Sequence, residues 1–516
     1  MRQMMVKLGA LMAAAGVLAL TACSGSSGSG SVSGGGQFDP TQPVRYSLPV
    51  VGRQWDPHRS VSQGADMPMM VLVYDRLVRL TPDSEVAPQL ATSYKFSNDG
   101  LDLTFQLRDD VTFHDGQHFD ANAVVANLRR AKAPESTVAA QLAGVTDMFA
   151  DGPYQVRLHL QAPDPTILLR LATTTGAMIS PAALNSPNLQ QTPAGSGPFM
   201  MQQFATDRVI LAKNPNYWDH DLVVPDRVEL IAVADDAARV NLLTSGGADI
   251  VSVTPATWMQ AKDIGSTGQY QLHVYGDSMQ QVMFLNAATP PLNNPRVRLA
   301  LNLAIDRAAI SAALEGACPP NSEALPAAYP GYVDGLNYDY NVDEAKRILA
   351  EEGVGRFTLD TLASNLEPPR TIAQMVQGML AKVGVTLNLI PTEPALVRSV
   401  FGQGKYGAMV HQQSITYPDP SVLFATHIGA GQLNPGNAAA ALVPAADAAR
   451  ALELGSPQRS AAYQDLTRRL FKEPTHIPIC NQTVALLMRS NMVGVDRLPF
   501  SQLSTSVDIR GVGLTK

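Results

Sequence analysis

The chain has 516 residues, 45% hydrophobic and 16% charged, with a formal charge of -7 from 38 basic against 45 acidic side chains. That apolar fraction supplies a full core and excludes disorder for the bulk of the chain, and its length suggests roughly three to four domain-sized units. The acidic balance leaves no basic surplus to displace phosphate counterions, which argues against a nucleic-acid partner. Three cysteines in this length exclude a disulfide-built scaffold.

The N-terminus reads as an export signal. Arg2 and Lys7 flank the start of an apolar run over residues 8–20, shorter than the about 20 residues a permanent membrane helix needs. Leu20-Thr21-Ala22-Cys23 resembles the bacterial lipobox. The resemblance implies a lipoprotein signal peptide over residues 1–22 and diacylglycerol and palmitate on Cys23. Residues 24–36 are nearly all Gly or Ser, a flexible tether with a reach of roughly 20 Å. The expectation is a body outside the cytoplasm, lipid-anchored to the cell membrane in the bacterial envelope.

Further along, Leu101, Leu103, Phe105 and Leu107 alternate with polar residues, which predicts a half-buried strand. Asp109-Asp110 and Asp115-Gly116 predict turns, and Val124, Val125 and Leu128 stripe a helix after them. A second alternating strand is expected over residues 154–160, with His159 pointing away from its apolar face. Asn294 as N-cap with Pro295 opens a helix carrying Val297, Leu301, Ala304, Ile305 and Ala308 on one face and stopping near Gly316. Another helix starts around Asp343 and stops at Gly353, and a third over residues 371–383 leads through Gly384 into a strand at 385–390. Interleaved strands and helices predict an α/β fold.

Catalytic spacing is absent. There is no His-Glu-x-x-His pattern, no phosphate loop and no Cys-x-x-Cys pair, so no catalytic residue, metal site or cofactor is expected. Gly195-Ser196-Gly197 is too short for a nucleophile elbow and reads as a chain crossing whose glycines permit unusual backbone angles. Asp339, Asn341, Asp343 and Glu344 lack the glycine spacing of a calcium loop, and Asp343 reads as a helix cap. Cys318 and Cys480 remain either as a disulfide or as two buried thiols.

Several segments together carry a resemblance. They are Tyr74-Asp75-Arg76-Leu77, Pro88-Gln89-Leu90-Ala91, Ser97-Asn98-Asp99-Gly100-Leu101, Phe105-Gln106-Leu107-Arg108 and Val111-Thr112-Phe113-His114-Asp115-Gly116. Gly195-Ser196-Gly197-Pro198-Phe199, Asn214-Pro215-Asn216-Tyr217-Trp218, Asn294-Pro295-Arg296-Val297-Arg298 and Tyr417-Pro418-Asp419-Pro420 follow in order. This series resembles the family 5 extracellular solute-binding proteins, the peptide and nickel group of ABC-importer receptors.

The resemblance implies a two-lobed, type II (cluster C) periplasmic-binding-protein fold. Lobe I would comprise residues 37–76, 196–282 and 487–516, with an extra domain at 77–195, and lobe II residues 283–486. It implies a monomer that binds a peptide or other small polar solute, serves an ABC permease and catalyses nothing. The alternative is a surface-anchored sensor or interaction lipoprotein that uses the fold without transport.

Peptide-binding members place a tryptophan, and three residues later an aspartate for the ligand's α-ammonium, ahead of the Asp-Pro motif. Here those positions are Gln413 and Thr416, and neither offers the charge a buried ammonium requires. The arginine that dipeptide receptors use for the ligand carboxylate has no counterpart in Ala363-Ser364-Asn365-Leu366. The expected ligand contacts are therefore Ser62 and Gln63 in the facing loop with His411, Gln412, Gln413, Ser414, Thr416, Tyr417 and Asp419, and Arg370 as a further charged candidate. Amides and hydroxyls of this kind suit a neutral or polar ligand.

Overall fold

The structure is a computed structural model that describes residues 37–51, 54–60, 63–222, 224–327, 329–414, 418–498 and 507–516, with the backbone alone at 63–65, 276–278 and 414. In chain order the elements used below are β1 (Val44–Leu48), α1 (Gln63–Val73), β2 (Ala91–Phe96), β3 (Asp102–Leu107), α2 (Ala121–Lys132), β4 (Val145–Ala150), β5 (Gln155–Leu160), β6 (Phe199–Phe204), β7 (Arg208–Lys213), β8 (Arg227–Ala232), β9 (Ile250–Val253) and β10 (Tyr270–Leu285). They continue with α3 (Pro295–Leu303), α4 (Arg307–Ala313), α5 (Val342–Glu351), β11 (Phe357–Ser364), α6 (Pro369–Ala381), β12 (Val385–Thr392), α7 (Val397–Phe401), β13 (Ala408–Ser414), α8 (Pro420–His427), α9 (Pro457–Lys472) and β14 (His476–Arg489).

Ten strands form one mixed sheet in the order β12-β11-β13-β10-β14-β9-β1-β8-β7-β6. Strands β10 and β14, 16 and 14 residues long, run through both halves of it. Tyr270 to Tyr275 pair with the end of β14 beside β9, and Met279 to Phe284 pair with its start beside β13, with register shifts between Tyr275 and Met279 and between Gln281 and Val282. Each half is covered on both faces and has its own cores: Val44, Leu230 and Met488 belong to one side, Val297, Leu359 and Val410 to the other. The α/β, two-lobed arrangement expected from the sequence is present.

A separate antiparallel sheet, β2-β3-β5-β4, carries its own core from Leu77 to Met178. Leu103, Phe105 and Leu107 are buried as their alternation requires. Helix α2 packs Val124, Val125 and Leu128 into the same core, and Asp120 caps it by accepting from the Ala123 N–H. On the other face His159 Nδ1 lies 2.8 Å from Asp102 Oδ1 on the neighbouring strand.

Three local expectations differ from the structure. The helix opened by Asn294 ends at Leu303, and a second begins at Arg307, because the Asp306 carboxylate accepts from the Ala309 N–H and starts a new cap. Asn341, not Asp343, caps α5, accepting from the Glu344 N–H. Gly195 and Gly197 are needed for close approach rather than for unusual angles: a Cβ on Gly195 would lie 2.0 Å from the Val73 carbonyl oxygen, and one on Gly197 2.7 Å from the Val73 carbonyl carbon.

That close approach serves one buried carboxylate. Asp75 is fully buried and accepts hydrogen bonds from Gln89 Nε2 at 2.6 Å, Trp218 Nε1 at 3.0 Å, Tyr217 OH at 3.2 Å and Ser196 Oγ at 3.3 Å, while Arg510 pairs with it at 3.2 Å. Burial pushes its carboxyl above the usual carboxylate range and Arg510 opposes that push. Removing the acceptor strands four hydrogen-bond donors and an arginine. Asp75→Ala is expected to cost about 3–5 kcal/mol of stability, read as a lower urea midpoint; an unchanged midpoint would refute the role given to this carboxylate.

Candidate functional site

At the seam where β10 and β14 pass between the halves, their apolar sequence is interrupted by carboxamides. Register sets Gln413, Gln280 and Asn481 side by side on one face, with Gln281 and Gln482 on the other. All five are buried, and buried amides demand partners. Gln413 donates to Thr426 Oγ1 at 2.9 Å and accepts from His427 Nε2 at 2.7 Å. Gln281 donates to Gln482 Oε1 at 3.1 Å, but its own Oε1 has no hydrogen-bond partner. Asn321 donates to Asn481 Oδ1 at 3.0 Å, and Gln280 to the Ala324 carbonyl at 3.4 Å.

The Cys318–Cys480 disulfide pins the start of this covering segment to β14, with Cys480 opposite Gln281. Of the two alternatives open in the sequence, the structure contains the disulfide.

His427 and His476 stack edge to face at 3.6 Å between centroids, next to Phe284. Burial pushes His427 down to about 3 and, with His427 beside it, His476 well below the usual imidazole range. His411, on the same face of β13, is pushed down to about 4 by burial and then by the charge of Arg398. All three are neutral at physiological pH.

The expected ligand contacts divide under this geometry. Asp419 is spent on structure: its carboxylate caps α8 through the Ser421 N–H at 2.9 Å and pairs with Arg459 at 2.8 Å, with both side chains almost wholly buried. The Asp-Pro motif is thus a helix start, cap followed by Pro. Gln413 is engaged by Thr426 through one amide N–H and by His427 through its Oε1. Arg370 is exposed and pairs with Glu367 at 2.6 Å.

His411 is 5% exposed and its Nδ1 has no hydrogen-bond partner. Gln412 is half-buried, and its carbonyl accepts from Arg398 at 3.1 Å. The Ser414 backbone lies opposite Met279, and Gln63 opens α1. Ser62, Thr416, Tyr417 and the lipidation residue Cys23 lie outside the described residues.

The sequence reading missed Gln280, Gln281, Asn481, Gln482 and Arg398. The first four carried a signal: two polar pairs in otherwise apolar strands, Met279-Gln280-Gln281-Val282 and Cys480-Asn481-Gln482-Thr483. Arg398 had none, since its relation to β13 is tertiary. Among the described residues no group of three His, Cys, Asp or Glu is placed to hold a metal ion, and no helix is long and apolar enough to cross a membrane.

Comparison with known proteins adds to this geometry. The family described as bacterial extracellular solute-binding proteins, family 5 Middle, matches residues 85–434. The glutathione-binding protein GsiB of Salmonella paratyphi A is 30% identical over 324 residues, 61% of this chain and 63% of the relative. The chain thus spans somewhat under two thirds of that relative's length. HbpA2 from Haemophilus parasuis superposes with a TM-score of 0.81 at 23% identity, over 92% of this chain and 100% of that one. The periplasmic binding protein DppA from Helicobacter pylori, in complex with the peptide STSA, superposes with a TM-score of 0.76 at 21% identity, over 92% and 98%. The fold is that of the two-lobed, type II periplasmic binding proteins.

The buried imidazoles make stability depend on pH. Their folded pKa values lie below the unfolded value near 6.5, so as pH falls below 6.5 the unfolded chain binds protons the folded one does not. Stability is present above that value and is lost on acidification by about 1.4 kcal/mol per pH unit for each such histidine. His427→Gln should reduce the fall in urea-unfolding free energy between pH 6 and pH 5 by about that amount; an equal slope in both proteins would contradict the neutral, buried assignment.

Proposed function

The chain belongs to the bacterial extracellular solute-binding proteins of family 5, and on that premise we propose that it is the lipid-anchored receptor of an ABC importer. It captures a peptide or other small polar solute between its lobes and hands it to a membrane permease. The observation that carries this reading is the amide-rich seam on β10, β13 and β14, at the place where two strands connect the halves of the sheet. Carboxamides there provide donors and acceptors without net charge. Support for a peptide-like ligand comes from the GsiB relative, named for glutathione, and from the peptide held by DppA.

A solute touching both lobes binds the closed arrangement better than the open one and shifts the equilibrium by that difference in affinity. Lipidation of Cys23 and the Gly/Ser segment after it would hold the body near its permease without a spanning helix. Nothing in this cycle requires a covalent step, in keeping with the absence of catalytic spacing from the sequence.

The test is a thermal-shift screen of short peptides, glutathione, sugars and metal chelates, combined with native mass spectrometry of whatever co-purifies. A true ligand at 100 times its Kd should stabilise the protein by about 2.7 kcal/mol. No stabilisation by any class and no co-purifying solute would reject the receptor reading.

A further inference from the structure

Resting on that reading, we propose that the Cys318–Cys480 disulfide is a positioning element of the solute site. It holds residues 317–324 along the edge of β14 and thereby sets the seam carboxamides Gln280 and Asn481 in the arrangement that receives the solute. Strand β9 pairs with Ala485 to Met488 of β14, so the preceding stretch of β14, where it lies in the second lobe, needs another cover on that side. Residues 317–321 take that place as a short antiparallel strand. Thr483 N–H donates to the Ala317 carbonyl at 2.9 Å, Asn481 N–H to the Pro319 carbonyl at 3.0 Å and Asn321 N–H to the Ile479 carbonyl at 3.0 Å.

This strand has little hold of its own. Pro319 and Pro320 have no N–H to donate, and ordering a segment costs conformational entropy that so few backbone bonds offset poorly. The disulfide, with both cysteines wholly buried, supplies the constraint in the middle of the strand, beside the Pro320–Cys480 bridge. Arg307, buried at the start of α4, adds a tie by donating to the Asn321 carbonyl at 3.2 Å and to the Pro478 carbonyl at 2.8 Å.

What the strand carries is polar and aimed at the seam. Asn321 Nδ2 donates to Asn481 Oδ1 and to the Glu323 carbonyl, each at 3.0 Å, and Asn321 Oδ1 accepts from the Glu323 N–H at 3.0 Å. The turn so made brings the Ala324 carbonyl to Gln280 Nε2 at 3.4 Å. A carboxamide can present either its oxygen or its nitrogen to a neighbour until one end is engaged. Here Asn481 is engaged through its oxygen and Gln280 through its nitrogen, so the orientation of both amides is decided before a solute arrives. Preorganisation of this kind raises affinity by taking an ordering cost out of the binding step. Loss of the disulfide releases the strand from the edge, while the apolar core of the second lobe around Val297, Leu359 and Val410 remains.

The probes are glutathione and a set of tri- and tetrapeptides, titrated calorimetrically into wild type, Cys318→Ala/Cys480→Ala, Asn321→Ala and Asn127→Ala, with the urea transition of each variant confirming its fold. Asn127→Ala loses buried hydrogen bonds to the Ala123 and Ile179 carbonyls inside the inserted unit and so controls for lowered stability away from the seam. Probes that bind wild type should lose about tenfold or more in affinity in the double variant and about threefold or more in Asn321→Ala, which keeps the disulfide, but less than about twofold in Asn127→Ala. If the double variant does not fold, Asn321→Ala decides. Affinity within about twofold of wild type in either seam variant, or an equal loss in Asn127→Ala, would overturn the positioning role and leave the receptor reading in place. Binding of no probe by wild type would overturn both.

Discussion

The carboxylate of Asp75 gathers groups from four separate stretches of chain. Gln89 comes from the start of the inserted four-stranded unit, Ser196 from the crossing that returns from it, Tyr217 and Trp218 from the loop after β7, and Arg510 from 435 residues away. A carboxylate only accepts hydrogen bonds, so all these donors turn toward one point. The position of the inserted unit on the first lobe, the path of the crossing and the seat of the C-terminal segment depend on that convergence. It also gives a physical reason for family motifs that look unrelated in sequence: each contributes a donor, or a glycine that lets the donor approach.

The second lobe is organised by a different constraint. Strands β10 and β14 must be apolar enough to sit mid-sheet in each half and polar at the seam between them. The register shifts and the carboxamides fall in the same few residues of these strands. Buried amides are costly when unpaired, so the covering segment from Cys318 to Ala324 and the side chains of Thr426 and His427 satisfy most of them. Gln281 Oε1 remains unmatched at the seam. In the proposed cycle this is where a solute bridging the lobes would exchange its hydrogen bonds with water for hydrogen bonds with protein.

What was legible in the sequence was local. The period-two alternation at Leu103, Phe105 and Leu107, the stripe on α2 and the Asn294-Pro295 helix start all rest on interactions within a few residues, and they stand in the structure. The break at Asp306 was missed because the apolar stripe continues through it while a carboxylate cap restarts the helix. Asp419 pairs with Arg459, which lies 40 residues away on another helix and shows in no local pattern. Arg398 was invisible for the same reason: its contact with β13 is one that pattern along the chain does not reveal.

In the proposed cycle a solute enters between two lobes joined by β10 and β14 and draws them together. Small-angle X-ray scattering of the soluble body, alone and saturated with the solute that stabilises it most, measures this directly. A smaller radius of gyration and a smaller maximum dimension are expected in the saturated protein. Identical scattering curves with the solute demonstrably bound would contradict it.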